Sequence, residues 1–417
     1  MRTLMYIDPG TGSMLFTVLI GVVTAGIWLF RRAWLKIRFV LSGGKREKTN
    51  EGHVPFAIFT DDKRYWTLFR PICEEMDRRG ETVAYLTASP DDPALKESFE
   101  HVKTEFIGEG NRAYAHMGML DADIVLSTTP GLDVYQWKRS RTVGKYVHIP
   151  HMVNDLTRYR MFGLDYYDAV LLTGEYQGEA VRKLEKLRGL PEKELAVVGL
   201  PYLDEMQKRL EREGPAPEHP TTVLLSPTWG PSGIFSRYGG EVIEALLKTP
   251  YQIIVRPHPQ SFTSEKELMS TLMAKYPDSD RLRWDRSNDN FEVLRQSDVM
   301  ISDFSGVTMD FALVFGRPVI CVDTEFDKAV YDAWWLDDEL WIMKTLDRIG
   351  LKLTRENVGD IGNMIARVLE EPAFREAIET ARQECWANIG HSAEKTADWL
   401  IDARRRLQEE RTEVKTA

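Results

Sequence analysis

"SDVMISDFSGVTMDFALVFGRPVICVD", residues 297–323, holds two short β-branched apolar runs separated by an amphipathic segment. "SDVMISD" (297–303) reads as a strand. The segment after Ser305-Gly306 has helical period, and Gly316 with Pro318 ends it. "RPVICVD" (317–323) reads as the next strand. Strand, helix and strand in about 27 residues make a parallel unit, because parallel strands need a crossover. Ser302, Asp303, Ser305 and Asp310 crowd the mouth of that helix.

The same rhythm extends in both directions. Upstream, "TVLLSPT" (222–228) and "YQIIVRPHP" (251–259) are strands of the same unit. Further upstream come "VPFAIF" (54–59), "TVAYLT" (82–87), "ADIVLS" (122–127), "KYVHIP" (145–150), "AVLLT" (169–173) and "LAVVGLP" (195–201). Helix-period stretches such as "GEAVRKLEKL" (178–187) lie between them. Continuous apolar strands alternating with helices mean parallel sheets covered on both faces. The charged, proline-rich "EREGPAPEHP" (211–220) divides two such series and reads as a domain linker.

The 417 residues suit two domains, and the composition, 43% hydrophobic and 28% charged, is that of a globular protein. A net charge of −10 argues against a nucleic-acid coat. Cys73, Cys321 and Cys385 are an odd number without CxxC spacing, which excludes a disulfide framework or zinc knuckle as the organising feature.

The N-terminus departs from this pattern. "SMLFTVLIGVVTAGIWLF" (13–30) carries no charge and would rise about 27 Å as a helix, the short end of a bilayer core. Arg31, Arg32, Lys36, Arg38, Lys45, Arg46 and Lys48 come after it, whereas Arg2, offset by Asp8, precedes it. The positive-inside rule puts the N-terminus outside and the rest in the cytoplasm. A cleaved signal peptide has the opposite charge order. A buried core helix would rarely be followed by so many cations. The expected organisation is a short segment (1–12), a transmembrane anchor (13–30), a basic linker (31–53), a first Rossmann-like domain (54–210), the linker (211–220), a second Rossmann-like domain (221–385) and a C-terminal helix or tail (386–417).

Ligands of open parallel sheets bind beyond the carboxyl ends of the strands. Three successive strand ends of the second domain offer Ser226, Thr228 and Trp229; then Arg256 and His258; then Ser302, Asp303, Ser305, Gly306 and Asp310. Arginine, histidine, hydroxyls and a helix N-terminus suit phosphate oxygens. Asp310, seven residues after Asp303 and about two turns in, suits ribose hydroxyls, which want an acceptor. Each set alone has a plain structural reading, since Ser and Asp before a helix are ordinary caps. Their coincidence at one edge of one sheet points to a nucleotide diphosphate site.

These motifs, "SPTWG", "VRPHP" and "DVMISDFSGVTMDFALVFGRPVI", together with "VVGLPYLDEM" (197–206), resemble the CDP-glycerol glycerophosphotransferase family over roughly residues 120–330. The resemblance implies a GT-B-like architecture of two doubly wound domains facing a cleft, the first binding acceptor and the second donor. It implies transfer of glycerol phosphate or a related polyol phosphate from a CDP-alcohol to a hydroxyl of a lipid-linked glycan in teichoic-acid-type polymer synthesis. No metal or other cofactor is then required, and the expected location is the bacterial cytoplasmic membrane, catalytic domains inside. A homo-oligomer is compatible with this, nucleic acid is not.

There are two departures from the family pattern. Gly306 stands where the family usually has a second serine, and the first-domain histidine motif is "VHIPHMVND" (147–155). Either His148 or His151 can stand for the catalytic histidine. His151 comes directly after Pro150 and opens the loop, which favours it as base. His258 is the second catalytic candidate. A GT-B glycosyltransferase or sugar-nucleotide epimerase using a UDP-sugar shares the architecture, and a non-catalytic membrane-tethered scaffold is the alternative from another class.

Overall fold

The computed structural model describes residues 52–287, 289–324 and 326–416. Within them the apolar runs form strands β1 (His53–Thr60), β2 (Val83–Thr87), β3 (Val102–Phe106), β4 (Asp121–Ser127), β5 (Thr142–His148), β6 (Ala169–Leu172) and β7 (Glu194–Val197). They pair in parallel in the order β3-β2-β1-β4-β5-β6-β7. A second parallel sheet contains β8 (Thr222–Ser226), β9 (Gln252–Val255), β10 (Leu282–Trp284), β11 (Val299–Ser302), β12 (Val319–Val322) and β13 (Gly350–Leu353). Its order is β10-β9-β8-β11-β12-β13. Two doubly wound parallel sheets are the architecture expected of a GT-B-like chain.

Every residue of the central strands β8, β11 and β12 is buried, as is the end of β1. Helices cover both faces, as a two-sided apolar sheet requires. Three strands, β3, β10 and β13, have no counterpart among the apolar runs of the sequence. All three are edge strands, and β3 exposes Lys103, Glu105 and Phe106. An edge strand is less enclosed, so it lacks the continuous apolar run that betrays a central one.

In each sheet the strand order reverses once, between β1 and β4 and between β8 and β11. At such a switch point the two flanking loops diverge and leave a crevice at the carboxyl ends. The crevice of the first sheet is therefore bordered by the loops after Thr60 and Ser127. That of the second is bordered by the loops after Ser226 and Ser302.

The C-terminal segment is part of the first half of the fold. The helix Ser392–Thr416 buries Ala397, Leu400 and Ala403. Its Arg404 and Arg411 pair with the buried Asp123 of β4 at 3.0 and 2.6 Å. Asp204 receives the Trp386 indole N–H and the Ser392 amide at 2.9 and 2.8 Å. Gly199 (φ +91°) lets this returning chain come close, since a Cβ there would lie 2.1 Å from the Ala387 carbonyl oxygen. The mixed-charge run 404–415, which reads from sequence as a solvated face, thus contributes two cations to a buried carboxylate.

Among the described residues no helix is long and apolar enough to cross a membrane. The expected anchor, residues 13–30, and the basic segment through residue 51 lie outside the described residues.

Candidate active site

The second-domain crevice is built from β8 and β11. Ser302 Oγ donates to the Ser226 carbonyl at 2.6 Å, tying the two strand ends together where the sheet order reverses. The buried Asp303 carboxylate accepts the Thr228 amide at 3.0 Å, the Ile234 amide at 3.3 Å and the Ser305 amide at 3.2 Å. Burial pushes its pKa up to about 7, opposed by those amides. The Ser302 hydroxyl and the Asp303 carboxylate are therefore taken up within the protein, and Ser226 gives its carbonyl to the same tie. They shape the loop. Expected from sequence as ligand groups, Ser302 and Asp303 instead have partners inside the protein, because a buried hydroxyl or carboxylate left unpaired costs several kcal/mol.

No side chain caps the helix Val307–Phe315. The amides of Gly306 and Val307 have no hydrogen-bond partner among the described residues. Gly306 has a steric reason, since a Cβ there would lie 3.0 Å from Met152 Sδ of the first domain. Asp310, 7% exposed, sits in the first turn. Its Oδ2 accepts the Tyr202 hydroxyl at 3.3 Å, while Oδ1 is buried without a partner. Burial pushes this carboxyl up to about 7 as well. Thr228 is half-buried, and Trp229 is 45% exposed beside His258, with ring centroids 6.4 Å apart.

The turn after β9 separates its two candidates. Arg256 points into the protein, where its guanidinium is paired with Asp285 and donates to Ser287 Oγ at 3.1 Å. The positive charge expected at the diphosphate is already neutralised. Removing one partner of such a buried pair leaves the other charge stranded. Arg256→Ala should thus cost about 3 kcal/mol of stability. The Arg256→Ala/Asp285→Ala double variant should cost no more than the single. Denaturant unfolding of wild type, both single variants and the double measures this, and equal stability of wild type and Arg256→Ala would refute it.

His258 instead faces outward. Its Nδ1 accepts the Gln260 amide at 3.1 Å, so the neutral ring carries its proton on Nε2. Burial, then the charge of Arg64, hold its pKa below the usual histidine range.

The first-domain wall is built the same way, from the loops that leave β1, β4 and β5. His148 ends β5 and is fully buried. Its Nε2 lies 2.9 Å from the Tyr159 hydroxyl, and its ring meets Tyr159 and Tyr167 edge-on. His151, three residues on, is half-buried at the start of the loop, with Nδ1 3.0 Å from Thr128 Oγ1 and the ring 4.8 Å from Tyr65. Among the described residues nothing is hydrogen-bonded to its Nε2. Burial, then Arg64, push its pKa down to about 4.

Arg64 is the connection the sequence reading did not make. It lies in the loop after β1, exposed, over the Tyr65 ring at 5.1 Å. Its charge lowers the pKa of both His151 and His258. The strand-end rule, applied to "TDDKRYW" (60–66) at the carboxyl end of β1, would have found it.

The loop after β5 also binds the halves together. The Asp155 carboxylate accepts the amides of Trp341 and Ile342 at 2.8 and 2.9 Å, capping the helix Trp341–Ile349. Arg158 Nη1 donates to the Phe304 carbonyl at 2.9 Å. The cleft thus carries an unpartnered imidazole nitrogen from each wall, free amides at a helix start, an exposed indole and an orphan carboxylate oxygen. Such a set can hold an anionic, hydroxyl-bearing ligand and move a proton beside it.

Comparison with known proteins gives the chemical class. Residues 154–333 match the family described as CDP-glycerol:poly(glycerophosphate) glycerophosphotransferase. This is the family the motifs resemble, and the match marks an enzyme domain of that transferase type. It covers less than half of the chain; it includes Arg158, His258 and Asp310, and begins just after His151. No curated protein sequence matches the chain. Among solved structures, the wall teichoic acid polymerase TagF is similar at 14% identity and TM-score 0.53, over 91% of this chain and 98% of that one. The UDP-GlcNAc 2-epimerase of Methanocaldococcus jannaschii is similar at 13% identity and TM-score 0.52, over 84% and 99%. The S. aureus protein MnaA, solved with UDP, is similar at 11% identity and TM-score 0.57, over 82% and 94%. At these identities the likeness is one of fold.

Proposed function

We propose that this chain transfers glycerol phosphate, or a related polyol phosphate, from a CDP-alcohol to a hydroxyl of a lipid-linked glycan during cell-envelope polymer synthesis. The observation that supports the reading is one histidine at a strand end of each sheet, His151 and His258, each with Nδ1 engaged by the protein and Nε2 without a partner among the described residues, inside a chain whose residues 154–333 match the transferase family.

In the proposed reaction the acceptor hydroxyl oxygen attacks the distal phosphorus of the donor. The new bond is acceptor O–P. The bond that breaks joins that phosphorus to the bridging oxygen, and CMP leaves with the electron pair. In the tautomer this step needs, Thr128 Oγ1 accepts from His151 Nδ1–H, and the bare Nε2 takes the acceptor's proton. His258 Nε2–H and the amides of Gly306 and Val307 donate to the diphosphate as charge grows on it. Asp310 takes a ribose hydroxyl, and Thr228 and Trp229 wall the nucleotide. No metal or other cofactor enters these steps. The anchor proposed for residues 13–30 would hold the cleft beside a lipid-borne acceptor; full-length protein should then stay with membranes through a carbonate wash.

The deciding experiment is a donor screen on full-length protein in membranes, with labelled CDP-glycerol, CDP-ribitol and UDP-GlcNAc. Release of CMP, with label passing to the lipid fraction, is the expected result for one of the CDP-alcohols. Consumption of the UDP-sugar alone would replace this reading by a glycosyltransferase or epimerase. No turnover of any donor would favour a scaffold.

A further inference from the structure

Arg158 ends the short 3-10 turn Leu156–Arg158 in the first-domain loop after β5. Its guanidinium lies over the faces of Phe304 and Phe326, with its central carbon 5.1 and 5.2 Å from their centroids. Nη1 donates to the Phe304 carbonyl, but Nε is buried with no partner. Among the described residues no carboxylate lies within ion-pair distance of it. Other arginines around the cleft are treated differently. Arg188 has both Asp165 and Asp332 at 2.6 and 2.5 Å, and Arg256 has Asp285. Asp155 and Asp303 attract it from beyond ion-pair distance, but each is already bound to backbone amides, so the guanidinium is only partly compensated and a phosphate on it is favoured.

Two residues after Phe304 the helix start is reached, with the leading amides of Gly306 and Val307 free. Its first turn carries Asp310, nine-tenths buried, with Oδ1 unpartnered. A cation with no directly paired carboxylate and a half-satisfied carboxylate thus belong to one helix mouth, the first through the Phe304 carbonyl and the second in the first turn. The first wants an anion, the second a hydroxyl donor. A nucleoside diphosphate offers both, phosphate oxygens and ribose hydroxyls.

We propose that Arg158 is an anion-binding group that the first domain lends to the diphosphate of the nucleotide donor, so that both halves of the fold hold the donor. This rests on the nucleotide reading of the cleft and adds to it a residue from the wall otherwise assigned to the acceptor. The two phenyl faces keep the planar guanidinium in place and dry, which strengthens its interaction with phosphate. Because Arg158 is already tethered to Phe304 of the second half, a ligand there also bridges the two walls.

Calorimetry on the full-length protein with cytidine, CMP and CDP tests this. In wild type, affinity should rise with each phosphate. In Arg158→Gln, CDP should bind about tenfold to a hundredfold more weakly while cytidine binds within about twofold of wild type. Arg158→Lys keeps the charge and loses the fork, so it should fall between them. If Arg158→Gln does not fold, Arg158→Lys carries the test, with the diphosphate increment reduced by about fivefold or more. Equal weakening of cytidine and CDP would make Arg158 a structural latch and overturn the proposal. So would unchanged CDP affinity. Binding of UDP in place of CDP would defeat the CDP-alcohol reading alone, provided Arg158→Gln removes the increment of UDP over uridine. Absence of any phosphate increment in wild type would overturn both.

Discussion

Replacing His151 with asparagine should lower kcat by about 10²–10⁴-fold, the usual contribution of a positioned general base. Asparagine can still reach Thr128, and the side chain stands half-buried in a loop, so the fold should survive. Burial, with Arg64 second, holds the His151 pKa at about 4. The imidazole is then neutral and able to accept a proton throughout the physiological range. In the free enzyme kcat/KM should lose activity on the acid side only as pH approaches about 4, well below the roughly 6.5 of a free histidine. Arg64→Ala removes the repelling charge and should move that acid limb upward. His148→Asn should act through stability instead, because that ring is packed between Tyr159 and Tyr167. Assays of kcat/KM against pH, alongside melting curves, separate these outcomes. Full activity in His151→Asn would remove His151 from the mechanism.

Asp310→Asn should give a protein that is more stable at pH 8 and binds nucleotide more weakly. The carboxyl is buried with one oxygen unpartnered, and its folded pKa is raised to about 7 against about 3.9 in the unfolded chain. A raised carboxyl pKa contributes stability that is fully present below about pH 4 and is lost as pH rises through about 7. Three units at about 1.4 kcal/mol each amount to roughly 4 kcal/mol at most. Asp303 has the same shift and stays in the variant, so the difference between the two proteins isolates Asp310. The pH profiles of unfolding free energy should coincide in shape except between about 4 and 7, where only wild type declines for this reason. Calorimetry should show nucleotide affinity falling from wild type to Asn to Ala, because the charged acceptor for a ribose hydroxyl is lost. An unsatisfied buried carboxylate is strain held in place by the rest of the fold. A variant destabilised equally at all pH values would show that the carboxylate is satisfied in the unliganded protein.

Hydrophobic pattern is a local property, and the elements it governs are legible in the residues. Every central strand reads as an apolar run because each is enclosed on both faces, from "VPFAIF" in β1 to "VMIS" in β11. The rule that ligands gather at carboxyl ends then locates the site, since Thr228, Trp229, His258, Gly306 and Asp310 all come after strands of one sheet. Hydrogen-bond partnership is not local. Asp303 meets the amide of Thr228, 75 residues away, and Arg158 meets Phe304 across 146 residues. Only the folded chain decides that Ser302 and Asp303 are consumed by the loop they build, and that Arg256 is matched by Asp285. The same path leaves Asp310 half-satisfied and puts both histidines within the field of Arg64. Residue type announces what a side chain can bind; which partner reaches it first is set by the tertiary path, because a buried polar group takes the nearest protein partner before any ligand arrives.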